Sequence, residues 1–303
     1  WPSRKQRTRH AESFGSPVPE LPEVEVVRRG LEDHMVGHTI VSATVLHPRA
    51  ARNQLGGGPE IEANIAGLRV SAAKRRGKFL WLELIDAPSG ETRPDLGLLV
   101  HLGMSGQMLI KGPDAPISPH LRAKVELDNG DEVWFVDQRT FGYWWLGDLV
   151  DGVPERVSHI ATDVLDESAD FSAIARNLKS RKSEIKRLLL NQEIVSGIGN
   201  IYADEMLWQA KIHPLQRADR LSLARLEELL QAGKDVMTKA LAQGGTSFDA
   251  LYVNVDGDSG YFALSLNAYA QTGEPCGRCG TLIIRESFMN RGSHYCPNCQ
   301  KRR

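Results

Sequence analysis

All four cysteines of this chain sit near its C-terminus, as Cys276-Gly277-Arg278-Cys279 and Cys296-Pro297-Asn298-Cys299, with sixteen residues between the pairs. Two CxxC knuckles at this separation can bring four thiolates to one tetrahedral ion, so the spacing predicts a single zinc site. The competing reading is two disulfides, which suits a secreted chain. Residues 1–18 are basic and polar with no apolar run behind them, unlike a secretory signal, and that favours zinc. Zinc held by four thiolates keeps no open coordination position, so the metal is expected to be structural. Thr281–Glu286 and Ser293–Tyr295 read as strands with Asn290-Arg291-Gly292 between them, so the ion should hold a β-hairpin with Arg291 at its tip.

Ahead of this tail, 303 residues suffice for two or three compact domains. No stretch approaches the ~18 apolar residues of a membrane-spanning helix, and the expectation is a cytoplasmic protein. Net charge is −1, but the cations are segregated. One cluster is Lys74, Arg75, Arg76 and Lys78; a second is Arg176, Lys179, Arg181, Lys182, Lys186 and Arg187; the tail carries more. A local positive field is what phosphates respond to, so such clusters can bind nucleic acid on a nearly neutral chain. Taken singly, each cluster is equally compatible with a solvated face.

The patterning divides the chain. Residues 1–18 lack periodicity and are expected to be a disordered or artificial extension. Pro22 stands where a first helical turn accepts proline, Val24, Val27 and Leu31 share a face, and Gly37 ends a helix over 22–36. Short apolar runs then follow at Thr39–Leu46, Gly67–Ala73, Phe79–Ile85, Gly97–Leu102, Ala123–Leu127, Glu132–Val136 and Tyr143–Leu146, the rhythm of a β-sandwich. After Asp151-Gly152-Val153-Pro154 the pattern turns helical. Leu178, Ile185, Leu188 and Leu189 fit a helix carrying the second basic cluster; Asn200 is placed to N-cap the next; Ser222 caps a third over 222–242. Residues 244–262 read as a long loop, a length that is usually functional.

Several segments resemble, in order, the formamidopyrimidine-DNA glycosylase family: Pro19-Glu20-Leu21-Pro22-Glu23-Val24-Glu25, Arg75-Arg76-Gly77-Lys78, His101-Leu102-Gly103-Met104-Ser105-Gly106, Asp137-Gln138-Arg139-Thr140-Phe141-Gly142, Gly197-Ile198-Gly199-Asn200-Ile201-Tyr202-Ala203-Asp204-Glu205, and Gly273-Glu274-Pro275-Cys276 with the cysteine pairs. The resemblance implies an α+β, multidomain architecture. A catalytic β-sandwich domain with a leading helix would span 19–152, a helix–two-turn–helix DNA-binding domain 153–272 and a zinc finger 273–303. It further implies a monomeric bacterial base-excision enzyme at the nucleoid that acts on double-stranded DNA containing oxidised purines, 8-oxoguanine and formamidopyrimidines, and then cleaves the strand by β,δ-elimination.

By the same resemblance Pro19 is the nucleophile, forming a Schiff base with the sugar, and Glu20 is the acid–base residue. Lys78 and Arg291 assist at the phosphates and in elimination. Met104, Arg139 and Phe141 fill the gap left by the everted nucleotide, and His120, Arg181, Lys186 and Asn200 contact DNA. Zn2+ on Cys276, Cys279, Cys296 and Cys299 is the one cofactor. Taken alone, Pro19 reads as a loop proline, Glu20 as a helix-start carboxylate, Met104 and Phe141 as core, and Arg291 as a turn arginine. Two departures stand out. Pro19 follows eighteen residues, so its nitrogen is a tertiary amide without nucleophilicity; Val18, read as an initiator methionine and removed, would free it. Tyr269-Ala270 replaces the family's commoner Tyr-Gly. A non-catalytic lesion-binding protein and an endonuclease VIII-like glycosylase for oxidised pyrimidines are the alternatives.

Overall fold

A computed structural model of the chain describes residues 19–86, 96–245, 255–256 and 265–302. Helix α1 (Leu21–Met35) opens it, and Val24, Val27, Leu31 and Met35 recur on its buried face. Strand β1 (Ile40–Val45), helix α2 (Gly57–Ile65) and strands β2 (Leu68–Arg76), β3 (Phe79–Asp86), β4 (Leu96–His101), β5 (Gly106–Lys111), β6 (Leu121–Leu127), β7 (Glu132–Asp137), β8 (Tyr143–Val150) and β9 (Val153–Pro154) follow. Every pairing is antiparallel, in two sheets ordered β1-β6-β7-β5 and β2-β3-β4-β8-β9. On β3 the side chains alternate: Leu80, Leu82 and Leu84 enter the core between the sheets and α1, while Trp81 packs on the opposite face with Leu99 and Val157.

The second core is helical: α3 (Phe171–Lys179), α4 (Ile185–Leu189), α5 (Asn200–Gln209) and α6 (Leu223–Ala242). The last unit is a hairpin of β10 (Ile284–Phe288) and β11 (Arg291–Tyr295). Among the described residues no helix is long and apolar enough to cross a membrane.

Most expected elements are present, with instructive differences. Helix α2 and strand β5 were not expected. Gly56-Gly57-Gly58-Pro59 disguises the start of α2, and only Ile61 and Ile65 of that helix are buried. The single helix expected around Leu178–Leu189 is two. The chain breaks over 180–184, where Glu184 bridges to Arg217 and the Ile185 amide donates to the Gln216 carbonyl at 2.8 Å. The hairpin turn falls at Met289-Asn290, both with positive φ (47° and 60°), so Arg291 begins β11 rather than forming the tip. Ser222 does cap α6, accepting from the Arg225 amide at 3.2 Å. The expectations for residues 1–18 and for nearly all of the 244–262 loop lie outside the described residues.

Candidate active site

Glu20 is where the two large units meet. Its own amide donates to the Glu23 carboxylate at 3.0 Å, which starts α1. Its side chain, 3% exposed, crosses to the start of α5 and accepts from the amides of Gly199 (2.8 Å), Ile201 (2.8 Å) and Tyr202 (3.2 Å). The expected cap at Asn200 is therefore corrected: Asn200 is the first helical residue, and the helix's free amides are satisfied by a carboxylate from the other unit. A side chain at Gly199 would collide with that carboxylate. Burial pushes the Glu20 carboxyl up to about 7, against the opposing pull of Lys78 and of the helix amides. Such a group exchanges a proton near neutral pH.

Pro19 adjoins it and is buried. Lys78, at the β2–β3 turn, donates to the Ile198 carbonyl at 3.2 Å and so lies along the 197–199 segment that Glu20 caps. Burial lowers its pKa, while Glu20 raises it and Arg291 lowers it, which brings all three charges into one electrostatic cluster. Arg291 is exposed at the start of β11.

The hairpin is held against α5 by Asp204. Its carboxylate accepts from Lys186 Nζ at 2.6 Å, from the His294 amide at 2.9 Å and from Ser293 Oγ at 3.3 Å, and meets His294 Nδ1 at 3.0 Å. Lys186 was expected at a DNA phosphate. It is instead fully buried, as is Asp204, and its remaining reach is to the Gly292 carbonyl at 3.4 Å. Its charge is neutralised inside the protein, because α5 is buried nearly all round and Asp204 needs a counter-ion there. Asn200 Nδ2 donates to the same Gly292 carbonyl at 2.9 Å.

Met104 and the Arg139–Phe141 pair lie on two turns joined by one buried carboxylate. Asp137, 0% exposed, accepts from Ser105 Oγ (2.6 Å), the Gly142 amide (2.7 Å) and the Arg139 amide (3.2 Å). Gly103, at φ 65°, abuts the Gly142 amide so closely that any side chain would clash. The turns present Phe141 at 44% exposure with the Arg139 guanidinium 5.6 Å from its ring centre, and Met104 half-buried nearby in sequence to Ser105. Arg139 and Phe141 thus stand exposed on a base fixed by Asp137. The His120 carbonyl accepts from the Asp137 amide at 2.9 Å, which puts it beside this platform. Arg181 stands separately, exposed after α3 and bonded to Asn177 at 3.0 Å.

Asp204, Glu205 and Asp137 stand in the motifs quoted above with no role assigned to them. Glu205 accepts from the amides of Asn267, Ala268 and Tyr269 at 2.8 to 2.9 Å, fixing that segment to α5.

The four cysteine sulfurs lie within 4.8 Å of one another, and Cys279 and Cys296 are 3.5 Å apart without a bond. Tetrahedral zinc at about 2.3 Å from each thiolate needs sulfurs roughly 3.8 Å apart, so the donor set fits the ion. Two further donors face the sulfurs: Trp208 Nε1 to Cys276 at 3.4 Å and the Cys299 amide to Cys296 at 3.4 Å. Zinc bound here supplies a cross-link; the chemistry lies elsewhere.

Three family descriptions match the chain: the formamidopyrimidine-DNA glycosylase N-terminal domain over residues 18–144, its H2TH domain over 160–250, and the zinc finger found in FPG and IleRS over 273–302. A formamidopyrimidine-DNA glycosylase of Corynebacterium glutamicum is 99% identical over 286 residues, covering 94% of this chain and 100% of the relative. One from Corynebacterium efficiens is 74% identical, covering 94% and 99%. Among solved structures, Lactococcus lactis Fpg in complex with DNA containing an abasic site superposes with a TM-score of 0.82 at 33% identity, covering 93% of this chain and 100% of that one. MutM in complex with DNA containing carbocyclic 8-oxo-G gives 0.81 at 34%, covering 94% and 100%. With an antiparallel sandwich and a helical core that meet at Glu20, and a four-cysteine hairpin packed on α5, the chain belongs to the formamidopyrimidine-DNA glycosylase family.

Proposed function

We propose that this chain is a base-excision-repair DNA glycosylase and abasic-site lyase for oxidised purines in double-stranded DNA, working in the bacterial cytoplasm at the nucleoid as a monomer. The observation that carries the reading is Glu20: a buried carboxyl beside Pro19, poised near pH 7 and held by three amides at the N-terminus of α5, Gly199 at the cap among them. In the reaction the Pro19 nitrogen attacks the sugar C1′, the bond from C1′ to the damaged base breaks, and a carbon–nitrogen bond forms. Glu20 delivers a proton to the ring oxygen as the sugar opens, leaving an iminium. Loss of the C2′ proton then breaks the C3′–O bond, and the second elimination breaks C5′–O. Lys78 and Arg291 hold the phosphates and offset the charge of the leaving oxygens. Met104, Arg139 and Phe141 occupy the space of the everted nucleotide.

The covalent step needs a lone pair on Pro19, and therefore the form of the chain in which Pro19 is N-terminal. Borohydride trapping on an 8-oxoguanine duplex tests the reading with protein whose N-terminus has been verified by mass. A covalent complex mapping to Pro19 supports it, and its absence from Pro19-terminal protein supports a lesion-binding protein instead. Faster trapping on an oxidised-pyrimidine duplex would overturn the purine assignment.

A further inference from the structure

The outer face of the five-stranded sheet carries a row of rings for which the chemistry above has no use. Phe79, His101 and Tyr143 are register partners on β3, β4 and β8, with ring centroids 4.8 Å and 5.3 Å apart. One step along the same face stand Trp81, Leu99 and Trp145. Val157 and Ile160 cover part of this face. They leave a cavity of about 630 Å³ floored by Phe79, Tyr143 and Trp145 and rimmed by Glu155, Arg156 and His159.

Cations surround the rings. The Arg156 guanidinium lies 5.9 Å and the Arg52 guanidinium 4.8 Å from the Tyr143 ring centre. Arg76, the register partner of Phe79, reaches the Ile160 carbonyl at 3.4 Å. Two buried ring nitrogens of this face, Trp81 Nε1 and His101 Nδ1, have no hydrogen-bond partner among the described residues. Rings beside an exposed arginine are the combination by which single-stranded nucleic acid is bound, bases on the rings and phosphates on the cation.

We propose that this cavity is a second nucleic-acid site, which takes an unpaired base of a single-stranded DNA segment against Tyr143, Phe79 and Trp145 with its phosphate on Arg156 and His159. The assignment rests on the DNA-acting reading above. A purely apolar protein partner fits less well, because Arg156, His159 and Glu155 would all have to be desolvated on docking. Glu155 opposes the phosphate and limits the affinity.

Fluorescence anisotropy with a short labelled oligothymidylate and the zinc-loaded full chain tests the site. Tyr143→Leu and the exposed Arg156→Ala are each expected to weaken binding about tenfold, equivalent to ~1.4 kcal/mol and within the range for loss of one stacked base. Glu155→Gln should tighten it. In all three variants, Pro19-terminal protein should still be trapped on the lesion duplex at the wild-type rate. Wild-type affinity in Arg156→Ala and Tyr143→Leu would overturn the proposal, as would full displacement of the oligothymidylate by saturating lesion duplex, which would place it in the catalytic cleft. Failure of wild-type trapping would instead count against the glycosylase reading, and is scored separately.

Discussion

Replacing Glu20 by glutamine separates its two jobs, capping α5 and delivering a proton. The amide keeps the length of the side chain, and its one carbonyl oxygen can retain the Gly199 and Tyr202 donors that share Oε2. The NH2 group would then face the Ile201 amide, which now donates to Oε1 at 2.8 Å. The Ile201 amide and the new NH2 group would then both be buried donors without an acceptor, at about 1–3 kcal/mol each, so melting should fall by several degrees while the fold survives. The catalytic loss is larger. A carboxyl at about 7 is half protonated at pH 7, and removing a positioned proton donor costs roughly 10²–10⁴ in rate. The pH dependence carries the sign. Wild-type single-turnover excision should fall about tenfold per pH unit above 7 as the proton is lost, and Glu20→Gln should lack that limb. In stability, a carboxyl raised from 4.5 to about 7 favours the folded state most below pH 4.5, and that contribution disappears as pH rises through 7. The variant should lack this slope too. Glu20→Asp keeps an ionisable group one methylene too short to span all three amides, so it should retain a limb at reduced rate. Single-turnover excision by Glu20→Gln within tenfold of wild type, or a surviving limb near pH 7, would refute the assignment.

Three other perturbations have defined outcomes. Asp204→Asn leaves Lys186 buried without its counter-ion and should cost about 3–5 kcal/mol; a melting loss under 3 °C by calorimetry would contradict it, whereas Asp204→Asn combined with Lys186→Met should recover part of the loss. Trp208→Phe removes the donor to Cys276 but keeps a ring for Arg278, whose guanidinium sits 4.1 Å from the indole centre; zinc release to a chromogenic chelator should quicken about fivefold, the equivalent of one ~1 kcal/mol hydrogen bond, and an unchanged rate would show the contact to be idle. Ala270→Gly should stabilise the fold by roughly 0.5–1 kcal/mol, because Ala270 adopts φ 60°, where a Cβ is strained and glycine is not; a lower melting temperature would refute this.

That last case shows what the sequence held and what it withheld. The replacement of Gly by Ala after Tyr269 was visible, but its meaning required the backbone angle. The zinc hairpin, the leading helix and most sandwich strands could be read because each depends on local spacing: thiolates at CxxC, apolar residues at helical or alternating period. Partners across the chain could not. Nothing near Asn200 reveals that its helix is capped by a carboxylate some 180 positions earlier, and nothing near Lys186 distinguishes a surface cation from one buried on Asp204. The Asn200 cap and the Lys186–Asp204 pair make the same point: the protein itself uses polar groups whose partners lie far along the chain.

The buried acids share a pattern. Asp163 accepts from the Gly77 amide at 2.9 Å and pairs with Arg75 at 2.7 Å, tying the sandwich to the segment before α3. Glu20 ties α1 to α5, Asp204 ties α5 to the zinc hairpin, and Glu205 ties α5 to residues 267–269. Each joins units that are separately patterned in sequence, and each accepts at least one backbone amide, a donor that fixes position without depending on a side-chain rotamer. Desolvating these carboxylates is costly, and ordinary apolar packing would hold the units together more cheaply. What the acids add is directional registry. The groups proposed to act on the sugar and its phosphates come from α1, the β2–β3 turn and β11, so no single unit contains the site. Their relative placement is only as good as these joints, and a damaged joint should therefore lower excision more steeply than it lowers stability.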